Sequence, residues 1–127
     1  MKLNHLDLQV PNVPEVAEFL ERHFDFEIRT NRTSPAIIVL SDREGMVLVL
    51  QRLKRELESY PEGFHIGFHV DDVAIVHHKH EEMLACGMKP SEVMSTNRGV
   101  AFYFMGPGNI LIEVNCPKPR RVSPSEA

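Results

Sequence analysis

Residues 3 to 10 alternate in polarity, with Leu6, Leu8 and Val10 on one face and His5, Asp7 and Gln9 on the other, which is the period of a half-buried β-strand. Pro11 ends that strand. Asn12 or Val13 then leads to Pro14 at the first helical position, and Val16, Ala17, Leu20 and Phe24 follow at helical spacing, with Glu15, Glu18, Glu21 and Arg22 on the outer side. Strands are predicted near Phe26 to Thr30, over Ala36 to Leu40 and over Met46 to Leu53, with a turn at Asp42-Arg43-Glu44-Gly45 joining the last two. The polar stretch 54–63, closed by Pro61 and Gly63, reads as a linker.

The same order then begins again. Phe64 to Val70 is a strand, Asp72 is an N-cap, and Val73, Val76, His80, Met83 and Leu84 form the buried stripe of a second helix that stops before Gly87. Further strands are predicted near Glu92 to Thr96, Val100 to Met105 and Asn109 to Cys116, with Gly106-Pro107-Gly108-Asn109 as the turn between the last two. The tail, 117–127, is rich in proline and arginine and is expected to be flexible, although Arg120 and Arg121 could close over an anionic substrate. The opening strand Asn4-His5-Leu6-Asp7-Leu8-Gln9-Val10 is thus echoed by Phe64-His65-Ile66-Gly67-Phe68-His69-Val70. Two βαβββ modules, 1–58 and 62–116, are expected to form one α+β domain over 1–116. Neither module has enough strands to stand alone, so they should join in a curved mixed sheet with helices outside and a concave cleft inside.

Composition narrows the function classes. The chain has 127 residues, room for one domain able to fold without disulfides or a structural metal. Its formal net charge of -4 offers no basic field for nucleic acid. Cys86 and Cys116 form no CxxC pair, which suits a reducing cytoplasm. The N-terminus lacks a signal peptide's apolar core, and the longest apolar runs are strand-sized, so a cytoplasmic protein with no membrane partner is expected.

Alternation places His5, Asp7 and Gln9, then His65, Gly67 and His69, then Leu111, Glu113 and Asn115, on the concave face. His5, His65 and Glu113 together make a two-histidine, one-carboxylate set, suited to one divalent transition ion (Mn, Fe, Ni or Zn) with open coordination positions. Asp7 either serves as a general base or orients His5; His69 is a substrate contact, an outer-shell group or a cleft histidine hydrogen-bonded in place. Tyr103 faces inward with Ala101, where it can hydrogen-bond a substrate or simply pack. His77, His78 and His80 are separated by helical spacing and do not share an ion.

These segments resemble the vicinal oxygen chelate superfamily, which includes glyoxalase I, the fosfomycin and bleomycin resistance proteins, methylmalonyl-CoA epimerase and the extradiol dioxygenases. The resemblance covers residues 1 to 116 and is carried by the two His-bearing strands and by Phe102-Tyr103-Phe104-Met105-Gly106-Pro107-Gly108-Asn109-Ile110-Leu111-Ile112-Glu113. It implies a glyoxalase-like fold and His5, His65 and Glu113 as metal ligands. The position that holds a fourth ligand in glyoxalase I falls on Val49 or Leu50, neither able to bind metal, with Gln51 near enough to reach the site through a bulge and touch substrate. The extradiol pattern expects a histidine where this chain has Met94-Ser95-Thr96-Asn97-Arg98, while its Tyr103 matches. Asp7, Gly99 and Ala101 depart from the fosfomycin resistance pattern.

The resemblance also implies a homodimer in which His5 of one chain meets His65 and Glu113 of the other. The expected function is that of a metal-dependent lyase, isomerase or thiol or water transferase acting on a small oxygenated substrate, with Asp7 and Tyr103 as catalytic candidates and His69, Tyr103 and Gln51 as substrate contacts. The alternative is a bleomycin-resistance-like protein that sequesters a small molecule in the same cleft.

Overall fold

The computed structural model of the protein describes residues 1–55 and 58–118; the expected tail beyond Lys118, with Arg120 and Arg121, lies outside the described residues. The chain divides into two compact units, Met1–Tyr60 with Pro107–Asn109, and Pro61–Gly106 with the segment from Ile110 onward. Among the described residues each contains one α-helix and one mixed four-stranded sheet, the predicted α+β class, with eight strands divided four and four.

In the first unit β1 (His5–Val10) is followed by α1 (Val13–His23), β2 (Glu27–Ile28), β3 (Ile37–Ser41) and β4 (Val47–Arg52), in the sheet order β1-β4-β3-β2. Asn12 is the N-cap, its side chain accepting from the Glu15 N–H, so Val13 precedes Pro14 in the first turn. Val13, Val16, Ala17, Leu20 and Phe24 are buried with Leu8, Val10, Ile38, Leu40, Leu48 and Leu50; the periods predicted Leu8, Val10, Val16, Ala17, Leu20 and Phe24 among these, while Leu6 is only half-buried. Fully burying each such aliphatic side chain contributes about 1.5–3 kcal/mol. β2 is only two residues long, shorter than the predicted 26–30. Glu21 on α1 accepts the Ile28 N–H at 3.0 Å and takes Arg32 at 3.1 Å, a side chain doing at this edge what a longer ladder would do. Backbone hydrogen bonding from Ile28 is the main cause that holds the Glu21 carboxyl below its ordinary range; Arg32 adds to it, against the opposing effect of burial.

The second unit repeats the order as β5 (His65–His69), α2 (Val73–Ala85), β6 (Met94–Thr96), β7 (Gly99–Met105) and β8 (Leu111–Pro117), arranged β5-β8-β7-β6. Asp72 caps α2 by accepting the Ala74 N–H at 2.8 Å. The predicted buried stripe of α2 is narrower than expected. Val76 and Met83 are buried, whereas Val73 and Leu84 are 40% and 53% exposed and His80 is half-buried, because α2 spreads its apolar side chains around the helix instead of along one stripe. Cys86 is the helix C-cap and is exposed, so it is not a core residue. Pro117, expected in the tail, closes β8, and the Lys118 N–H donates to the Arg98 carbonyl at 3.1 Å.

The turn at Pro107–Asn109 is a short 3-10 segment in which Gly108 has φ +80°. It groups with the first unit, where a Cβ on Gly108 would stand 3.0 Å from both Val10 and Val16, so glycine is needed for backbone and for space. No helix among the described residues is long and apolar enough to cross a membrane.

Candidate functional site

Register decides which side chains share a face. β1 pairs in parallel with β4 so that Asp7 lies opposite Val49 and Gln9 opposite Gln51; β5 pairs with β8 so that Gly67 lies opposite Glu113 and His69 opposite Asn115. The two ladders superpose residue by residue. Val49 is therefore the counterpart of Glu113, and Leu50, fully buried, belongs to the opposite face.

Glu113 is the centre of the second unit's polar face. Its side chain is only 13% exposed, and a carboxylate so covered requires partners. Asn115 Nδ2 donates to Glu113 Oε1 at 3.2 Å, and Tyr103 stands directly opposite Glu113 in the β7–β8 ladder, its phenol interacting with the same carboxylate. That interaction is the main cause holding the Tyr103 phenol above its ordinary value, with burial and the Glu113 charge adding to it and Arg98 opposing. Asn115 Oδ1 is buried without a hydrogen-bond partner among the described residues.

His65 completes the group. Its Nδ1 lies 2.9 Å from the Gly63 carbonyl, an acceptor only, so in the neutral ring the proton belongs on Nδ1 and Nε2 is the nitrogen left for a ligand, 3.7 Å from Glu113 Oε2. That separation is too long for a hydrogen bond, yet one ion with bonds of about 2.1 Å to each atom spans it. An imidazole fixed by its far nitrogen and a largely covered carboxylate held by Asn115 fit a divalent metal. Gly67 lies directly over Glu113, where an added Cβ would make only an ordinary contact, 3.8 Å from the carboxylate oxygen. The Tyr103 ring meets the His65 ring edge-on, with centroids 5.7 Å apart. His69 is exposed on the same face of β5.

The first unit carries a related but different set. His5 is exposed on β1, and Asp7 accepts a hydrogen bond from Gln51 Nε2. No bulge is needed to bring Gln51 onto this face, because regular register already places it there. The Tyr60 hydroxyl accepts from the Gln9 N–H at 2.7 Å and donates to the Gln9 carbonyl at 3.0 Å, filling the outer edge of β1. A hollow of about 350 Å³ is lined by Asp7, Gln9, Leu53, Glu58, Ser59 and Tyr60.

Of the predicted ligands the structure thus brings together His65 and Glu113, with Tyr103 beside them, and places His5 with Asp7 and Gln51 in the other unit. Among the described residues no three His, Cys, Asp or Glu side chains form a metal-holding group. Sequence reasoning gave no role to Asn115, although its inward position two residues from Glu113 was legible, and it left Tyr60 in the linker, where nothing local signals a long-range contact.

Residues 2–114 match the profile of the Glyoxalase/Bleomycin resistance protein/Dioxygenase superfamily. No curated protein matches the sequence. Among solved structures, one described as a possible glyoxalase from Bacillus cereus is 29% identical, with TM-score 0.81, over 91% of this chain and 99% of that one. The fosfomycin resistance protein FosX of Listeria monocytogenes, complexed with Mn(II) and sulfate, is 20% identical, with TM-score 0.74, over 92% and 90%. A lactoylglutathione lyase from Agrobacterium tumefaciens shares the fold at 14% identity, with TM-score 0.73, over 90% and 92%. The match spans nearly the whole described chain, and the protein belongs to the glyoxalase, bleomycin resistance protein and dioxygenase superfamily.

Proposed function

We propose that the protein is a divalent-metal-dependent enzyme of this superfamily that acts on a small oxygenated substrate, and that it works as a homodimer in which His5 of one chain joins His65 and Glu113 of the other. The observation that carries this reading is the pinned His65 tautomer, whose Nε2 faces a largely covered Glu113 carboxylate at 3.7 Å. The Mn(II) complex of FosX supports it by analogy of fold. When bound, the ion would supply Lewis acidity to vicinal oxygens of the substrate, stabilising an enolate, alkoxide or oxyanion as it develops.

The protein's own residues divide the remaining work. Gln51 holds one Asp7 oxygen, which orients that carboxylate to take a proton from substrate through the other. Tyr103 keeps Glu113 turned toward His65 and offers its half-exposed ring to the substrate, and His69 borders the same face. Val49, buried opposite Asp7, leaves the fourth ligand position of glyoxalase I without a donor, which favours three-ligand chemistry: lyase, isomerase, or addition of a thiol or water.

Protein purified without chelator or nickel resin is expected to carry close to one equivalent of manganese, iron, nickel or zinc per chain, and His65→Ala to lose it. Metal below about a tenth of an equivalent and indifferent to the substitution would sink the metal-dependent reading, three protein ligands being the minimum for such sites. A sedimentation run at micromolar concentration should give a dimer; a monomer that still binds metal tightly removes the shared site. A second reading, sequestration of a small molecule without catalysis, draws on the hollow bordered by Asp7, Leu53 and Tyr60. Tight ligand binding by metal-free protein would favour it.

A further inference from the structure

Tyr103 is held from behind by a device that the ladder alone does not supply. β6 ends its pairing with β7 at Met94 opposite Ala101, so beyond that point the outer edge of β7, at Tyr103, would lack a partner. Ser91 fills it twice: its N–H donates to the Tyr103 carbonyl at 2.8 Å, and its Oγ accepts the Tyr103 N–H at 3.0 Å. In a regular antiparallel pair the second acceptor would be the Ser91 carbonyl. That carbonyl is instead turned toward α2 and accepts from His80 Nε2 at 2.8 Å, while the His80 ring stands edge-on to Phe102, centroids 5.0 Å apart at 87°. The hydroxyl stands in for a carbonyl that the helix has taken.

We propose that His80 and Ser91 are positioning residues for the candidate site: by clamping the Tyr103 backbone they seat its phenol on Glu113 and so fix the carboxylate that faces His65. The chain of contacts runs from His80 through the Ser91 carbonyl, the Ser91 hydroxyl and the Tyr103 N–H to the Tyr103 phenol and Glu113, all within one unit. The first unit contains a natural control. Thr30 Oγ1 accepts the Val39 N–H at 3.1 Å and the Arg29 N–H donates to the Val39 carbonyl at 2.8 Å, yet Val39 lies opposite Val49, where no carboxylate needs orienting. The hydroxyl clamp is therefore a device of the fold, and only in the second unit does it bear on chemistry. The effect on metal affinity rests on the proposed metal site; the seating of Tyr103 does not.

The test uses tyrosine emission, which is quenched when a phenol donates to a carboxylate. The chain has two tyrosines and no tryptophan, so Tyr60→Phe leaves Tyr103 as the sole reporter. In that background, without metal, Glu113→Gln and Ser91→Ala should both raise the emission, and Ser91→Thr and Thr30→Ala should leave it as it was. Should Tyr60→Phe not fold, the same comparison is made as difference spectra in the otherwise unaltered protein, where the Tyr60 contribution cancels. Ser91→Ala should also weaken Mn(II) binding about tenfold, with Ser91→Thr restoring it and Thr30→Ala without effect. If Ser91→Ala leaves the emission unchanged while Glu113→Gln raises it, or if Thr30→Ala raises it equally, the proposal is overturned. Failure of the parent protein to bind Mn(II) would count against the metal site alone, since the emission comparison still decides the clamp.

Discussion

The two units share strand order, helix position and register, and they differ in where they keep their carboxylate. In the first it is Asp7, on the parallel edge strand, opposite Val49; in the second it is Glu113, on the inner strand, opposite Gly67. Each carboxylate is held by an amide of the inner strand, Gln51 in one case and Asn115 in the other. A residue on β1 sits at a sheet edge, suited to meeting a substrate, whereas a residue on β8 is flanked by strands on both sides and can be fixed by Tyr103 and Asn115, as a ligand requires. The same scaffold thus carries its acid on the edge strand in one unit and on an inner strand in the other.

The helices sharpen the contrast and give the largest expected effect. α1 commits its whole apolar stripe to the first sheet, while α2 buries only Val76 and Met83. Leu20→Ala should cost about 2–5 kcal/mol by urea denaturation, from lost burial and the cavity left behind, and Leu84→Ala should stay within about 0.5 kcal/mol. Equal losses would mean that the outer side of α2 is covered in solution, as an interface would cover it.

Making the first ladder imitate the second is the next largest test. Val49→Glu places a carboxylate opposite Asp7 at a nearly closed position, and in metal-free protein it should cost about 2 kcal/mol. If the new carboxylate adds a fourth donor to the proposed ion, excess Mn(II) should raise the melting temperature of this variant more than that of the parent protein. An equal rise in both would place Val49 away from the ion.

Much of this contrast was legible in the sequence, because it rests on the period-2 and period-3.6 patterns, which are local. His5, Asp7 and Gln9, and the echo at His65, Gly67 and His69, are on the faces that alternation assigned. The choice between Val49 and Leu50 needed the parallel register, which only the folded ladder fixes. β2 and α2 were misjudged for the opposite reason. Glu21 tethers a strand that pairs over only two residues of the expected five, and three histidines within α2 obscured how little of that helix is buried. Ser91 carries no local signal, since its partner Tyr103 is twelve residues away and the clamp depends on a carbonyl captured by His80.

The helix ends offer a smaller comparison. After α2 the left-handed position is Gly87, φ +88°, where an added Cβ would meet nothing within 4 Å; after α1 the same position is Asp25, φ +59°. Gly87→Ala should therefore cost about 1 kcal/mol from backbone conformation alone, and Asp25→Gly should gain up to about 1 kcal/mol, both read as midpoint shifts in denaturant. A loss on Asp25→Gly would show that the aspartate side chain contributes at that end.

The smallest effect concerns the tethers of the edge segments, Glu21 for β2 and His80 for Ser91. The folded Glu21 carboxyl lies below its unfolded value of 4.5, chiefly because the Ile28 N–H donates to the charged form and Arg32 reinforces it. A group with a depressed folded pKa adds stability that is complete above its unfolded value and disappears as pH falls through its folded one. The stability difference between the parent protein and Glu21→Gln should thus be flat from pH 6 to pH 8, that is, well above 4.5, and shrink only as the solution becomes more acidic than that. Because the tether is partly exposed and Arg32 sits on the surface, added salt should trim the Arg32 share while leaving the backbone share in place. A difference that persists unchanged to the acid limit would mean that Glu21 holds Ile28 by shape and not by charge, and the first unit's edge would then be tied, like the second's, by a hydrogen bond that does not depend on a carboxylate.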